Sequence, residues 1–538
     1  MGKEIKSNIP DANSSQNYQI SHSASKIAIG GVLSLTVGLV NQVVIAWLFG
    51  AGKDMDAYLT ALVIPLTFAY ALIFGLSFVL IPAFIEEESQ GSEEDAWSLV
   101  GTFFWLTLGV LTLIAIIGSF FSDVIINITA PGLSPEKAII SARMLSILMF
   151  TVPLVGLGSL SRGIQNARNS FFWPSAAGIF GSIGSAATLL ILYQFVGSMS
   201  LAWSSLVSEF LIACMTVIPI LRHGWLRLMP IYDKKILGTL RLVIPFILLN
   251  FIITSTRIFQ RYFASGLPDG DLSYIGYASK IEHMLIVVLA AGIADAIFPT
   301  MARAYSQNGV NELIKYSEYG LRLSVASGLP AITILGVVAV PLITIFYERG
   351  AFTHADTVNV SNILFIVLSI VLFRMLGNVI SRTFYVIKDT VTYPLISAIS
   401  VVFYIIFGYL LTNSFGYVGL ALAKPLQMSL MVLTTFIFLS KKLPGLHNKL
   451  LFADMLVYTF ASIVAAIIAL LLMQTLGFLP LLFQVIVACG ISGFIYILIL
   501  LWKDRNIALS VLELFYIPEI ISIVRNGYRK YSTYKREI

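Results

Sequence analysis

Charge is scarce in this 538-residue chain: Asp, Glu, Lys and Arg together make up 12% of it, about half the share of an ordinary soluble domain. With 58% hydrophobic residues and a mean hydropathy of +0.89, a solvated globular surface is excluded. Cysteine is scarcer still. Cys214 and Cys489 both lie inside apolar runs, so neither a disulfide framework nor a cysteine-based metal site is expected. There is no phosphate-cradling glycine loop with its lysine, no H-E-x-x-H pair and no soluble stretch able to house an ATPase, which argues against ATP-driven pumping and against a cofactor. The net charge of +6 is modest, and the basic residues sit between apolar runs and at the C-terminus. Anionic membrane lipid is therefore the expected partner, not nucleic acid.

What the chain has in abundance is long apolar runs. A helix needs about 20 apolar residues to cross a bilayer, and about fourteen such runs succeed one another between 27–49 and 478–502. The expected fold is an all-α polytopic membrane protein. The first 25 residues, rich in Ser, Asn and Gln, contain no apolar stretch and are expected to form a disordered cytoplasmic tail without a cleaved signal peptide. Lys and Arg gather after the sixth, eighth, tenth and twelfth runs and beyond 503, while the connections after the fifth, eleventh and thirteenth have none. That alternation predicts a multi-pass protein with both termini in the cytoplasm. One cytoplasmic connection, Glu86-Glu87-Glu88 to Glu93-Glu94-Asp95, is strongly acidic; acidic residues weigh little in orientation, and a solvated surface loop is expected.

The runs fall into two similar halves. Ala61, Gly75 and Pro82 reappear as Ala278, Gly292 and Pro299; Ser161-Arg162 with Pro174 as Ser381-Arg382 with Pro394; Gly197 with Leu201-Ala202 as Gly416 with Leu420-Ala421. Three groups at nearly one offset, each keeping its internal spacing, indicate the internal duplication usual in secondary transporters. The expected organisation is a tail (1–25), a six-helix lobe (26–222), a cytoplasmic linker (223–235) and a second six-helix lobe (236–441). An accessory helix pair (450–503) and a basic amphipathic cytoplasmic tail (504–538) follow. Lobes of six spans share one orientation, related by an axis near the membrane normal.

Charge within a span is costly and usually faces a bundle interior or a water-filled cavity. The seventh run ends with Arg257 and Arg261, whose i, i+4 spacing places them on one helix face as a candidate anion site. The eighth carries Lys280, Glu282, His283 and Asp295; at about 100° per residue, Lys280, His283 and Asp295 share a sector and Glu282 points away. Run ten adds Arg374 and Asn378, and run twelve Lys424. The first half is poorer: Asn41 and Gln42 in run one, Arg143 and Arg162 in run four, Glu209 in run six. Candidate substrate-binding residues are Arg257, Arg261, Lys280, Arg374, Asn41 and Gln42. Candidate ion-coupling residues are Asp295, Glu282 and Glu209. No catalytic or metal-binding set is expected.

Several short motifs resemble one family. Phe49-Gly50-Ala51-Gly52-Lys53-Asp54-Met55-Asp56-Ala57-Tyr58 resembles the FGAG-x-x-x-DAF segment of the MurJ/MviN lipid II flippases. Tyr277-Ala278-Ser279-Lys280-Ile281 is similar to that family's YADRL, Phe298-Pro299-Thr300-Met301-Ala302 to its LLP-x-LS, and Ala130-Pro131-Gly132 to its APG. Most specific is Tyr347-Glu348-Arg349-Gly350-Ala351-Phe352-Thr353-His354-Ala355-Asp356-Thr357, which resembles ERGAFT-x-x-DT.

The resemblance implies fourteen helices, two six-helix lobes around a V-shaped central cavity, and alternating access, within the multidrug/oligosaccharidyl-lipid/polysaccharide exporter superfamily. It further implies movement of an undecaprenyl-pyrophosphate-linked saccharide from the inner to the outer leaflet of a bacterial inner membrane, driven by membrane potential or a coupling cation. Such a protein is a secondary transporter and not an enzyme.

Departures stand beside the matches. Leu35 and Asn41 occupy the region of the family's span-one arginines, Ala69 and Tyr70 that of its span-two arginines, and Lys280 replaces an Arg, keeping charge without the planar fork. The anion site is thus weighted to the second lobe, which leaves lipid II and another lipid-linked oligosaccharide both open, within peptidoglycan biosynthesis or polysaccharide export. Other readings are a multidrug/cation antiporter, a membrane-embedded glycan polymerase or ligase, and a non-transporting cell-wall assembly scaffold. The antiporter has only Glu209, Glu282 and Asp295 as intramembrane carboxylates, and the polymerase lacks a large external loop.

Overall fold

The computed structural model describes residues 34, 36–90, 93–168, 170, 172–222, 244–245, 247–446 and 449–514. The expected N-terminal tail, the linker 223–235 and everything beyond 514 lie outside the described residues. Helix is the only regular structure among the described residues, as a bilayer demands of a chain that must satisfy its backbone polar groups within each segment. Eight described helices are long and apolar enough to cross a membrane. Two compact units are present, one built from residues 1–45, 60–128 and 135–254, the other from 46–59, 129–134 and 255–538.

The first unit takes in α1 (Thr36–Phe49) up to residue 45 and α2 (Lys53–Gln90) from residue 60. It continues through α3 (Glu93–Phe120), α4 (Ser122–Thr129), α5 (Pro135–Leu148), α6 (Thr151–Ala167), α7 (Phe172–Val196) and α8 (Ser200–Arg222). The helices α7 and α8 form a hairpin at Gly197, whose φ of +54° suits glycine alone. The acidic connection between α2 and α3 is partly neutralised: the Arg168 guanidinium lies 3.6 Å from Glu88 and 3.1 Å from Glu93 and stacks over Trp97.

The second unit contains α9 (Thr256–Ala264), α10 (Asp271–Leu285), a π-helical turn (Ile286–Ala290), α11 (Ala291–Asn308) and α12 (Val310–Val337). After α13 (Ala339–Phe346) and α14 (His354–Val386) comes α15 (Thr392–Lys442), which is broken at Gly416 with φ +58° and ψ −138°. Gly416 is the repeat partner of Gly197. Both glycines take left-handed φ values, and Leu201-Ala202 and Leu420-Ala421 beyond them are all buried. The spacing of the duplication therefore marks equivalent corners in the two halves.

The accessory pair, α16 (Lys449–Thr475) and α17 (Leu481–Lys503), docks on α12 through polar contacts as well as packing. The Arg322 guanidinium meets Asp454 at 2.6 Å, the Tyr458 hydroxyl donates to Asp504 at 2.8 Å, and the Tyr496 hydroxyl donates to the Ala326 carbonyl at 2.6 Å. The amphipathic segment that follows begins as α18 (Arg505–Leu514). Its apolar side, Ile507, Ala508, Val511 and Leu512, is buried in the core of this unit. Between helices of a membrane protein such polar contacts and close packing supply the adhesion that the hydrophobic effect supplies in water.

Candidate functional site

In the second unit α9 is short and strongly two-sided, and carries Arg257 and Arg261 one turn apart. Arg257 acts electrostatically on Arg261, Lys280, Glu282, His283 and Lys424. From α14, Arg374 acts on Glu282, His283 and Lys424. Five cations from α9, α10, α14 and α15 are thus linked through Arg257 and Arg374; three of them, Arg257, Arg374 and Lys424, act on Glu282, and Asp56 acts on Arg261. The side chains of Lys280 and His283 are exposed. Glu282, two positions from Lys280 and one from His283, is 8% exposed; the helical rotation that turns it away from Lys280 is the one expected from spacing.

Two details define the chemistry. The Nε and Nη1 atoms of Arg261 are buried without a hydrogen-bond partner, and the Lys424 ammonium donates to the Thr256 hydroxyl at 3.3 Å while sitting 5.4 Å above the Tyr404 ring. Like charges held together in a medium of low dielectric repel strongly, and unpaired guanidinium N–H groups are costly to bury. An anion with several acceptor oxygens would relieve both, through charge-assisted hydrogen bonds. Beyond His283 the π-helical turn widens the helix, a local irregularity common at functional sites.

Of the residues expected from sequence, Arg257, Arg261, Lys280, Arg374 and Glu282 all belong to this one cluster. Asn41, Gln42 and Glu209 belong to the first unit, where the Asn41 side-chain amide donates to Ser185 at 3.1 Å and its Oδ1 is buried without a partner. The side chain of Asp295 lies outside the described residues. Lys424 joins the cluster although sequence spacing alone did not place it there. Its signal was a lone lysine inside an apolar run, whose neighbours only the packing of α9 against α15 reveals.

The short motifs converge elsewhere in the same unit. The Asp56 carboxylate accepts hydrogen bonds from the backbone N–H groups of Gly270 and Ser273, each at 2.8 Å, and from the Ser273 hydroxyl. It thereby caps the start of α10, where the helix dipole favours a negative charge. The Tyr277 hydroxyl donates to the Gly50 carbonyl at 2.7 Å, and the Ala351 N–H to the Trp47 carbonyl at 2.9 Å. Gly350 lies so close to Trp47 that a Cβ there would sit 2.3 Å from the Trp47 carbonyl oxygen. Tyr277, Tyr347 and Phe352 pack as an aromatic trio with centroids 5.0–5.8 Å apart.

Thr353 and Asp356 form a reciprocal capping box at the start of α14. Burial raises the Glu348 carboxyl, but hydrogen bonds from Thr357, Thr344 and His354 outweigh it and hold the group below the ordinary glutamate range. The motif residues thus build a joint apart from the cation cluster.

A multi-pass helical fold with a cluster of cations on packed helices and an internal duplication defines a membrane carrier. The model of the family described as lipid II flippase MurJ matches residues 45–490. The chain belongs to that family. A Buchnera aphidicola (subsp. Acyrthosiphon pisum) protein described as "Probable lipid II flippase MurJ" is 27% identical over 426 residues, 78% of this chain and 82% of its own length. One of the same description from Thermotoga maritima is 24% identical over 482 residues, 88% of this chain and 94% of its own. Among solved structures, a lipid II flippase MurJ in an inward closed conformation superposes with a TM-score of 0.75 at 22% identity, covering 89% of this chain and 99% of that one. An inward-facing multidrug resistance MATE family transporter of the MOP superfamily gives 0.66 at 16% identity, covering 78% and 99%. These structural likenesses establish the fold.

Proposed function

We propose that this chain is a flippase that carries an undecaprenyl-pyrophosphate-linked saccharide from the inner to the outer leaflet of a bacterial cytoplasmic membrane, as a secondary transporter with both termini in the cytoplasm. The observation that carries the reading is the five-cation cluster with the unpartnered Arg261 guanidinium atoms, within a member of the lipid II flippase family. A pyrophosphate offers several charged oxygens to Arg257, Arg261, Lys280, Arg374 and Lys424. Asn41 and Gln42 in the first lobe are neutral amides suited to sugar hydroxyls. Glu282, Glu209 and Asp295 are the carboxylates available for ion coupling, and the basic connections suit anionic lipid headgroups.

The neutral residues of the first lobe favour a second substrate of the same class: a lipid-linked oligosaccharide other than lipid II, with its pyrophosphate bound by the cations of the second lobe. Binding titrations on the purified chain separate recognition of the pyrophosphate from recognition of the polyprenyl tail. Undecaprenyl-pyrophosphate-linked saccharide should bind at least about tenfold more tightly than its monophosphate counterpart, the worth of one or more charge-assisted hydrogen bonds. Equal affinities would remove the cluster from the mechanism.

A further inference from the structure

The first lobe holds an intramembrane carboxylate that the cation cluster leaves unused. Glu209 lies midway along α8, and no hydrogen bond or ion pair to it is found among the described residues. It is half-buried and shares a face of α8 with Ala213 and Thr216, the residues that Gly158 of α6 approaches; the opposing charge that acts on it is Arg162 of α6. The two helices meet closely: a Cβ on Gly158 would lie 3.6 Å from the Thr216 hydroxyl and 4.0 Å from an Arg162 nitrogen. One turn on, the Gln165 amide donates to the Thr216 carbonyl at 2.7 Å, while its Oε1 is buried without a partner. Arg162 instead donates to the Ser159 hydroxyl at 3.3 Å. Helical side chains lean toward the helix N-terminus, which brings the Arg162 guanidinium back to Gly158 and Ser159, opposite Ala213, one turn beyond Glu209.

Few other titratable groups surround it. Among the described residues of the elements packed against α8, α5 carries Glu136, Lys137 and Arg143, α7 carries Tyr193, and α8 itself adds Cys214 and Arg222. Arg162 remains the one charge that acts on Glu209 among these neighbours. A metal cation is a poor fit, because hard cations need several oxygen ligands, Arg162 would repel one, and no group of three or more His, Cys, Asp or Glu is found among the described residues. A proton needs one carboxylate only.

We propose that Glu209 is a proton-exchange site of the first lobe, with Arg162 as the counter-charge it engages when deprotonated. The inference rests on the transporter reading above and names the ion and the residue. Protonated Glu209 gives its O–H proton to water and becomes a carboxylate, Arg162 stays charged, and the pair passes from a net charge of +1 to zero. The guanidinium then leaves Ser159 for Glu209, drawing α6 and α8 together, so protonation controls the packing of two helices.

An infrared pH titration of the full-length chain in proteoliposomes tests this without any lipid-linked substrate. A protonated-carboxyl band should titrate in the wild type, vanish in Glu209→Gln and persist in Glu209→Asp, which guards against a folding defect. Arg162→Gln should move the titration to higher pH, because a carboxylate without its counter-charge holds its proton more tightly. In parallel, wild-type translocation should vary by up to about tenfold per pH unit on the limb set by one proton, and Glu209→Gln should flatten that dependence to less than twofold. A Glu209→Gln variant that keeps both the band and the pH profile overturns the proposal. Absence of translocation by the wild type would overturn the flippase reading while leaving the band titration to decide the proton site.

Discussion

Lys280 carries its charge beside that of Arg257, and because its side chain is exposed, Lys280→Ala removes little packing and one charged donor. The expected loss in affinity for the pyrophosphate-linked carrier is about 1.5–3 kcal/mol, or roughly ten- to a hundredfold, with thermal stability unchanged; Lys280→Arg should retain binding. Parallel ligand titrations and melting curves on both variants check this. Outside the membrane, Asp389 makes a complementary case. Burial raises its carboxyl, but the Lys442 ammonium, the Thr392 hydroxyl and N–H, and the Val391 N–H outweigh that and hold it well below the ordinary aspartate range. A depressed carboxyl stabilises the fold fully above its unfolded value of about 4 and loses that contribution as pH falls toward the folded value. Melting temperature should therefore decline below about pH 4 in the wild type, and less steeply in Asp389→Asn.

Among the elements, the joint formed by residues 47–56, 265–277 and 347–357 shows what sequence can and cannot deliver. Each motif was recognisable by itself, and the Arg257/Arg261 face followed from helical spacing. That Asp56 caps a helix beginning more than two hundred residues later was beyond reach, because nothing local to either segment encodes the pairing. The same holds for Lys424 and Thr256. Rotation about one helix axis is periodic and legible, whereas the choice of neighbouring helix is a tertiary property. Asp56 is 2% exposed and bound by three donors, so Asp56→Ala leaves those donors unmatched in a buried place. A loss of about 3 kcal/mol or more is expected, read as a lowered melting temperature and faster proteolysis within 265–277, while Asp56→Asn should lose less because it keeps one acceptor oxygen.

For the molecule as a whole, the duplication supplies matching corners at Gly197 and Gly416, but the two lobes differ in their interior charge. The second concentrates the interior cations, and the first keeps Asn41, Gln42, Arg162 and Glu209. Apolar runs made the helical class evident from composition, and the position of each charge along them already weighted the cations to the second lobe, whereas which of those cations meet depends on helix packing. The decisive measurement is leaflet accessibility of an undecaprenyl-pyrophosphate-linked saccharide in proteoliposomes containing the full-length chain. The wild type should expose the saccharide on the far leaflet, and a folded Arg257→Ala/Arg261→Ala variant should not. Unimpaired translocation by that double variant, expressed and folded as well as the wild type, would contradict the central claim.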